Sequence, residues 1–426
     1  MPATNASTSR RDRGGCGGQQ GSRELIRCAP GTCRTAGTPP IVSNHHWVSR
    51  CLRLVVGALI AVTAIAGAAV PAKAAQPPIE ASEAELSPAL ACPTTFAHPE
   101  HPAVLLVHGT GSTPEESWSW NYTKVLPSLG FDACTIRLPE FALTDIQISS
   151  EYVVYAIRRM HELTGRVVSV MGHSQGNLQP RWAIKWWDDI PGIVDDYVSL
   201  AGPHHGIAST ESCVTFHGCD EAAWQMRSAS SFLAALNSGD ETPGTVSYTS
   251  VYTQTDELVV PATTAVLDGA VNISIQSLCP GRYVEHGQML HDAVAFAVVL
   301  DALTHVGPAD PARIDPTSCS ARSMPGVSGR DAFEGSSQAS AGLGRIMAAE
   351  RVPSEPPLRP YAASATSASA TTSGETLTPQ AGSSQDHAAL PATGWDAARG
   401  LTLALACIAA ALAVRRAARL KPSNQA

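Results

Sequence analysis

Short strand-like runs recur through the middle of the chain, at residues 103–107, 166–171, 194–200, 246–252 and 271–275. Between and after them come segments whose apolar residues fall at helical spacing: residues 177–188 carry Trp182, Ile184, Trp186 and Trp187, and residues 289–303 repeat the pattern. Strands alternating with helices predict an α/β fold, a mostly parallel sheet with helices on both faces. In such folds the working loops lie at the carboxyl ends of the strands.

Composition narrows this fold to the middle of the chain. Of 426 residues 44% are hydrophobic, with a net charge of −8, but the distribution is uneven. Residues 1–53 hold eight arginines, no lysine and only Asp12 and Glu24 as acids, in a Gly, Ser and Thr background that cannot bury a core. This basic stretch reads as a solvated arm, and no nucleic-acid partner is expected. Residues 54–70 form an apolar run preceded by Arg50 and Arg53 and followed by Ala72-Lys73-Ala74, the pattern of a secretory signal. Ser9-Arg10-Arg11 lies too far upstream to serve as a twin-arginine start. Residues 48–75 are therefore expected to be a signal peptide, with 1–47 an extension or a mis-assigned start near Val48.

At the other end, Leu390-Pro391-Ala392-Thr393-Gly394 precedes an apolar run at 401–414 and the cations Arg415, Arg416, Arg419 and Lys421. The run is short for a span of about 20 residues but suits a temporary stop in the bilayer during export. These three parts in order resemble the cell-wall sorting signal of Gram-positive bacteria. The resemblance implies a sortase-type transpeptidase that cuts between Thr393 and Gly394 and joins the chain to peptidoglycan. Residues 321–389 are dominated by Ser, Ala, Thr, Gly and Pro and are expected to form a flexible stalk, spanning roughly 45 Å on average. The catalytic domain is thus expected at 76–320 and the sorting signal at 390–426. Six of the 11 cysteines fall in the mature chain: Cys92, Cys134, Cys213, Cys219, Cys279 and Cys319. An even count in an exported protein predicts disulfides, with 15 pairings open and Cys213 to Cys219 the easiest local pair. None shows the C-x2-C spacing of a zinc site, and no metal or organic cofactor is expected.

Candidate chemistry centres on Gly172-His173-Ser174-Gln175-Gly176, which fits G-x-S-x-G directly after the run at 166–171. A strand ending on this pentapeptide and turning into a helix forces the serine into a strained backbone conformation with its hydroxyl exposed. Serine needs a base and a carboxylate to become nucleophilic, in the chain order Ser, Asp or Glu, His. Asp256, just past the run at 246–252, is the expected acid, with Glu257 as the alternative. His286, flanked by Glu285 and Gly287 ahead of a helix, is the expected base. His291 and His305 fall on or at the end of that helix, His204 and His205 come too early, and Asp301 reads as helix surface. Acyl transfer also requires donors for the oxyanion: the backbone N–H of Gln175, and Thr110 in His108-Gly109-Thr110-Gly111, whose hydroxyl can add to its own N–H.

Residues 92–319 resemble the lipase B family of α/β-hydrolases, Candida-type lipase B and its actinobacterial relatives. The resemblance rests on Leu105-Leu106-Val107-His108-Gly109-Thr110-Gly111, Thr144-Asp145-Ile146-Gln147, Ser174-Gln175-Gly176, residues 252–260 and residues 279–286. It implies an α/β-hydrolase fold in a single catalytic domain, a Ser174, Asp256, His286 triad, and an oxyanion hole of Thr110 and Gln175. It also implies disulfides Cys92 to Cys134 and Cys279 to Cys319, leaving Cys213 to Cys219 as the third. His173 stands where the fungal enzyme has tryptophan, so its narrow alcohol-side pocket is not expected here. The function expected is hydrolysis of lipid or other carboxylic esters through an acyl-enzyme. Its competitors are an acyltransferase of the cell surface and a non-catalytic adhesin on a hydrolase scaffold.

Overall fold

The computed structural model describes residues 76–363; the expected signal peptide, the sorting signal and the rest of the expected stalk lie outside the described residues. Seven strands form one sheet in the order β1-β3-β2-β4-β5-β6-β7. They are β1 (Leu90–Ala91), β2 (Ala103–Val107), β3 (Ala133–Ile136), β4 (Val168–His173), β5 (Val194–Leu200), β6 (Ser247–Tyr252) and β7 (Val271–Ser274). Every neighbouring pair is parallel except β1 with β3. This is an α/β-hydrolase fold, as expected, and β4 lies in its middle.

All five residues of β2 are buried, and their alternation feeds two cores. Leu105 and Val107 join one face, Val104 and Leu106 the other. On the first face lie α1 (Ile146–Thr164) and α2 (Leu178–Trp186), contributing Val153, Ile157, Met160 and Trp182. Asp145 starts α1 by accepting from the Gln147 N–H at 2.9 Å, and Gly165 at φ 65° ends it. On the second face lies α3 (Ala293–Thr304), whose Val294, Val298 and Val299 meet Met171 and Val198. Its first turn is capped by Asp292, which accepts from the N–H groups of Val294 and Ala295. Disulfides join Cys92 to Cys134, Cys213 to Cys219 and Cys279 to Cys319.

The expected stalk is corrected by the structure over its first part. Residues 329–348 form α4 (Gly329–Ala348), started by a reciprocal cap between Ser328 and Asp331. The following segment is tied down residue by residue. Val352 pairs with Cys219, Glu355 accepts from the N–H groups of Ser231 and Phe232, and Arg359 N–H donates to Gln147 at 2.8 Å. Tyr361 then packs against Trp182, Trp186 and Trp187, with Ala362 buried beside it. A segment poor in apolar residues is held because other parts of the domain supply the apolar surface and its own backbone supplies the hydrogen bonds. The folded domain therefore continues past 320 to at least 363. Among the described residues no helix is long and apolar enough to cross a membrane.

Candidate active site

Strand β4 ends at His173, and Ser174 follows with φ 57°, a conformation that non-glycine residues avoid. It costs about 1–3 kcal/mol and is held by the packing around it. A Cβ on Gly172 would lie 2.3 Å from the Gly176 carbonyl oxygen, so strand and helix could not pass this closely with any side chain there. Asn177, which the sequence reading did not single out, fastens the turn: its amide donates to the Ser174 carbonyl at 2.9 Å and the Leu200 carbonyl at 3.0 Å.

Asp256 follows β6, and its carboxylate is held by three hydrogen bonds. Oδ1 accepts from the N–H groups of Leu258 and Val259 at 2.9 and 2.7 Å, and Oδ2 meets His286 Nδ1 at 2.9 Å. Burial pushes this carboxyl up, but the His286 ring and the two N–H donors more than offset it and hold it below its ordinary value. Glu257 has a different task from the alternative foreseen for it, accepting the His286 backbone N–H at 2.9 Å. On the other side, the His173 ring donates from Nε2 to the His286 carbonyl at 3.1 Å, with the two ring centroids 4.7 Å apart. Burial, and then the neighbouring His286, lower His173 to about 3, so it is neutral at working pH and its N–H stays available as a donor. Both polar backbone groups of His286 are thus gripped by side chains. Among the described residues no hydrogen bond joins the Ser174 hydroxyl to His286; such bonds are often open in ligand-free enzymes and tighten on substrate.

The loop after β2 passes directly over the serine, since a Cβ on Gly109 would sit 2.9 Å from Ser174 Cβ. His108 fixes this loop. Its Nε2 accepts from the Leu138 N–H at 3.0 Å, so its Nδ1 carries the hydrogen and donates to the Gly109 carbonyl at 3.0 Å. Burial lowers His108 to about 4, which keeps that tautomer neutral. Turning the Gly109 carbonyl toward His108 turns the Thr110 N–H the opposite way. The Thr110 hydroxyl donates to Gln175 Oε1 at 2.5 Å, so the two expected oxyanion residues are joined through their side chains, a link the sequence did not suggest. Gln175 is the second residue of a short 3-10 helix (Ser174–Asn177), where backbone N–H groups have no upstream partner.

The other histidines stand apart. His204 is buried on Ser199, His205 pairs with Glu241 at 3.0 Å, and His291 faces Ser323. Asp301, expected on a helix surface, is instead buried in a two-point contact with Arg313. Among the described residues no group of His, Cys, Asp and Glu could hold a metal ion.

Residues 101–298 match the family model described as lipase (class 2). The chain is 27% identical to lipase B of Pseudozyma antarctica over 281 residues, covering 64% of this chain and 81% of that protein. Among solved structures it is similar to Aspergillus fumigatus lipase B, with a TM-score of 0.64 and 28% identity over 69% of this chain and 75% of the other. These likenesses, together with the fold, support an α/β-hydrolase of the lipase and esterase kind.

Proposed function

We propose that the protein is a serine carboxylic-ester hydrolase acting on lipids or similar esters through an acyl-enzyme. Ser174 attacks the ester carbonyl, His286 takes its proton and later returns it to the leaving alcohol, and Asp256 fixes the ring with Nδ1 protonated so that Nε2 faces the serine. The N–H groups of Thr110 and Gln175 receive the developing oxyanion. The single observation that carries the reading is the buried 2.9 Å contact between His286 and Asp256, with the His286 carbonyl held by His173, the residue that precedes Ser174 in its strained turn. Ser174→Ala should lower turnover of a soluble p-nitrophenyl ester by about 10⁶. A purified variant that still turns over at the wild-type rate removes the assignment.

The sequence signals support a second part of the proposal: export, followed by transpeptidation at Thr393 onto peptidoglycan. Digestion of the cell wall should release the enzyme from intact cells, whereas detergent should not. Recovery in the detergent fraction alone would mean a lipid-embedded anchor instead.

A further inference from the structure

Gly111, one residue past Thr110, sits at φ 71° with both backbone groups occupied. Its N–H donates to the Phe141 carbonyl at 2.8 Å, and its carbonyl accepts from Arg345 Nη1 at 2.8 Å. Arg345 comes from α4, beyond the stretch that matches the lipase family and inside the segment that reads as stalk. Two more of its hydrogens go to Glu116, Nη1 to Oε2 at 2.6 Å and Nη2 to Oε1 at 2.8 Å. The guanidinium lies 4.4 Å over the Phe141 ring. A planar fork with several fixed donors can do all this at once, which a lysine cannot.

The segment that presents Phe141 is itself costly. Glu140, Phe141 and Ala142 have φ of 45°, 60° and 59°, three consecutive non-glycine residues in the left-handed region. Strain of this kind persists where surrounding contacts over-determine it, and it gathers at functional sites. Here it delivers a carbonyl to the Gly111 N–H and a ring to the cation that holds the Gly111 carbonyl. Helix α4 closes the other side, since a Cβ on Gly111 would lie 2.8 Å from the Gly342 carbonyl oxygen and 3.0 Å from Ile346. Gly111 can therefore neither rotate nor shift without breaking bonds on two sides, and the Thr110 peptide next to it inherits that rigidity.

We propose that Arg345 is a positioning residue for the oxyanion hole: by holding the Gly111 carbonyl it anchors the backbone on the carboxyl side of Thr110, keeping in place the N–H that His108 orients through the Gly109 carbonyl. The inference rests on the serine-hydrolase reading above. Misplacing a donor by about 1 Å costs on the order of 10²-fold in rate, with little effect on substrate binding. Glu116→Gln and Arg345→Met both abolish the ion pair, but only the second removes the donor to Gly111. Measured on the full chain with a short soluble ester, Arg345→Met should lose about 10- to 100-fold in kcat with KM within about 2-fold. Its rate of labelling by a soluble fluorophosphonate should fall alongside. Glu116→Gln should stay within about 3-fold of wild type in both, although the two variants lose similar amounts of Tm. Equal losses of kcat in the two variants, or an undiminished kcat in Arg345→Met, would overturn the proposal. If Arg345→Met does not fold, Arg345→Lys decides: a reduced kcat at wild-type KM supports the proposal and a wild-type kcat defeats it. A wild-type protein that neither labels nor turns over defeats the hydrolase reading instead, which is a separate result.

Discussion

Asp256 and Glu257 are adjacent carboxylates, and both serve His286, one through its ring and the other through its backbone N–H. They should therefore fail differently. Asp256→Asn leaves the geometry but presents the wrong tautomer, with an expected loss of about 10⁴ in kcat. Glu257→Ala frees the backbone behind the ring, with an expected loss of about 10- to 100-fold that Glu257→Gln largely restores, since an amide oxygen still accepts from the N–H. Steady-state kinetics of the three variants check both halves; equal losses in Asp256→Asn and Glu257→Ala would put both acids in one role. Ser174 was readable because its strain, its glycines and its strand lie within a few residues. The contact between Asp256 and His286 was legible only through the chain order expected of an acid and a base. The tasks of His173, Asn177 and Glu257 could not be read, because each acts by meeting a backbone group far away in the chain or in a turn whose path the sequence does not spell out.

Among the elements, β2, β4, β5, β6 and β7 stand within two residues of the runs that announced them, since β2 and β4 are largely apolar and β5, β6 and β7 are rich in valine, isoleucine, tyrosine and threonine, residues that favour strands. The two-residue β1 is too short to leave such a signal, and β3, Ala133-Cys134-Thr135-Ile136, fully buries only alternate residues and holds a single large apolar side chain. Segment 321–363 was misread for a different reason. Composition measures what a segment can bury by itself, and this one docks by hydrogen bonds, by Tyr361 on three tryptophans and by a few side chains such as Met324 and Val327 set into a core that other elements build. A chain ending at residue 320 should consequently aggregate or melt at least about 10 °C lower than one ending at 363, whereas Tyr361→Ala alone should cost roughly 2–4 kcal/mol. Thermal melts of the three proteins test this, and a 76–320 fragment with unchanged Tm would restore the stalk to its full expected length.

Taken as a whole, the molecule has an uneven response to pH. Burial lowers His108 to about 4, His173 to about 3 and His204 well below its ordinary value. Below about pH 6.5 the unfolded chain takes up protons that these native rings refuse, so stability falls as the solution is acidified. Asp196 acts in the opposite sense: burial, and then Asp195 beside it, push its carboxyl up to about 8. Between its ordinary range and about pH 8 the native state holds a proton that the unfolded state has lost, so stability falls as pH rises through that window. His205, raised by its contact with Glu241, adds a loss of the same sign. Above about pH 6.5 the three lowered histidines are neutral in both states, and Tm should decline toward about pH 8. Asp196→Asn, which can still accept from Ser169, should remove most of that decline and raise Tm throughout the window, leaving it unchanged only at or below about pH 4, where the aspartate is protonated in both states. A series of melts across this range provides the check; parallel curves for variant and wild type would mean that Asp196 is ionised throughout.

Helix α2 begins beside Ser174 and runs back along the sheet for about 13 Å. At its distant end Trp187 receives the incoming chain, donating to the Pro77 carbonyl at 3.1 Å, and Trp186 and Trp187 receive Tyr361, near the last described residue. Entrance and exit thus share the floor of the domain while the reacting groups occupy its roof. On the proposed attachment at Thr393, the leash would leave the domain at the end of α2 away from Ser174, so that tethering need not crowd the proposed site.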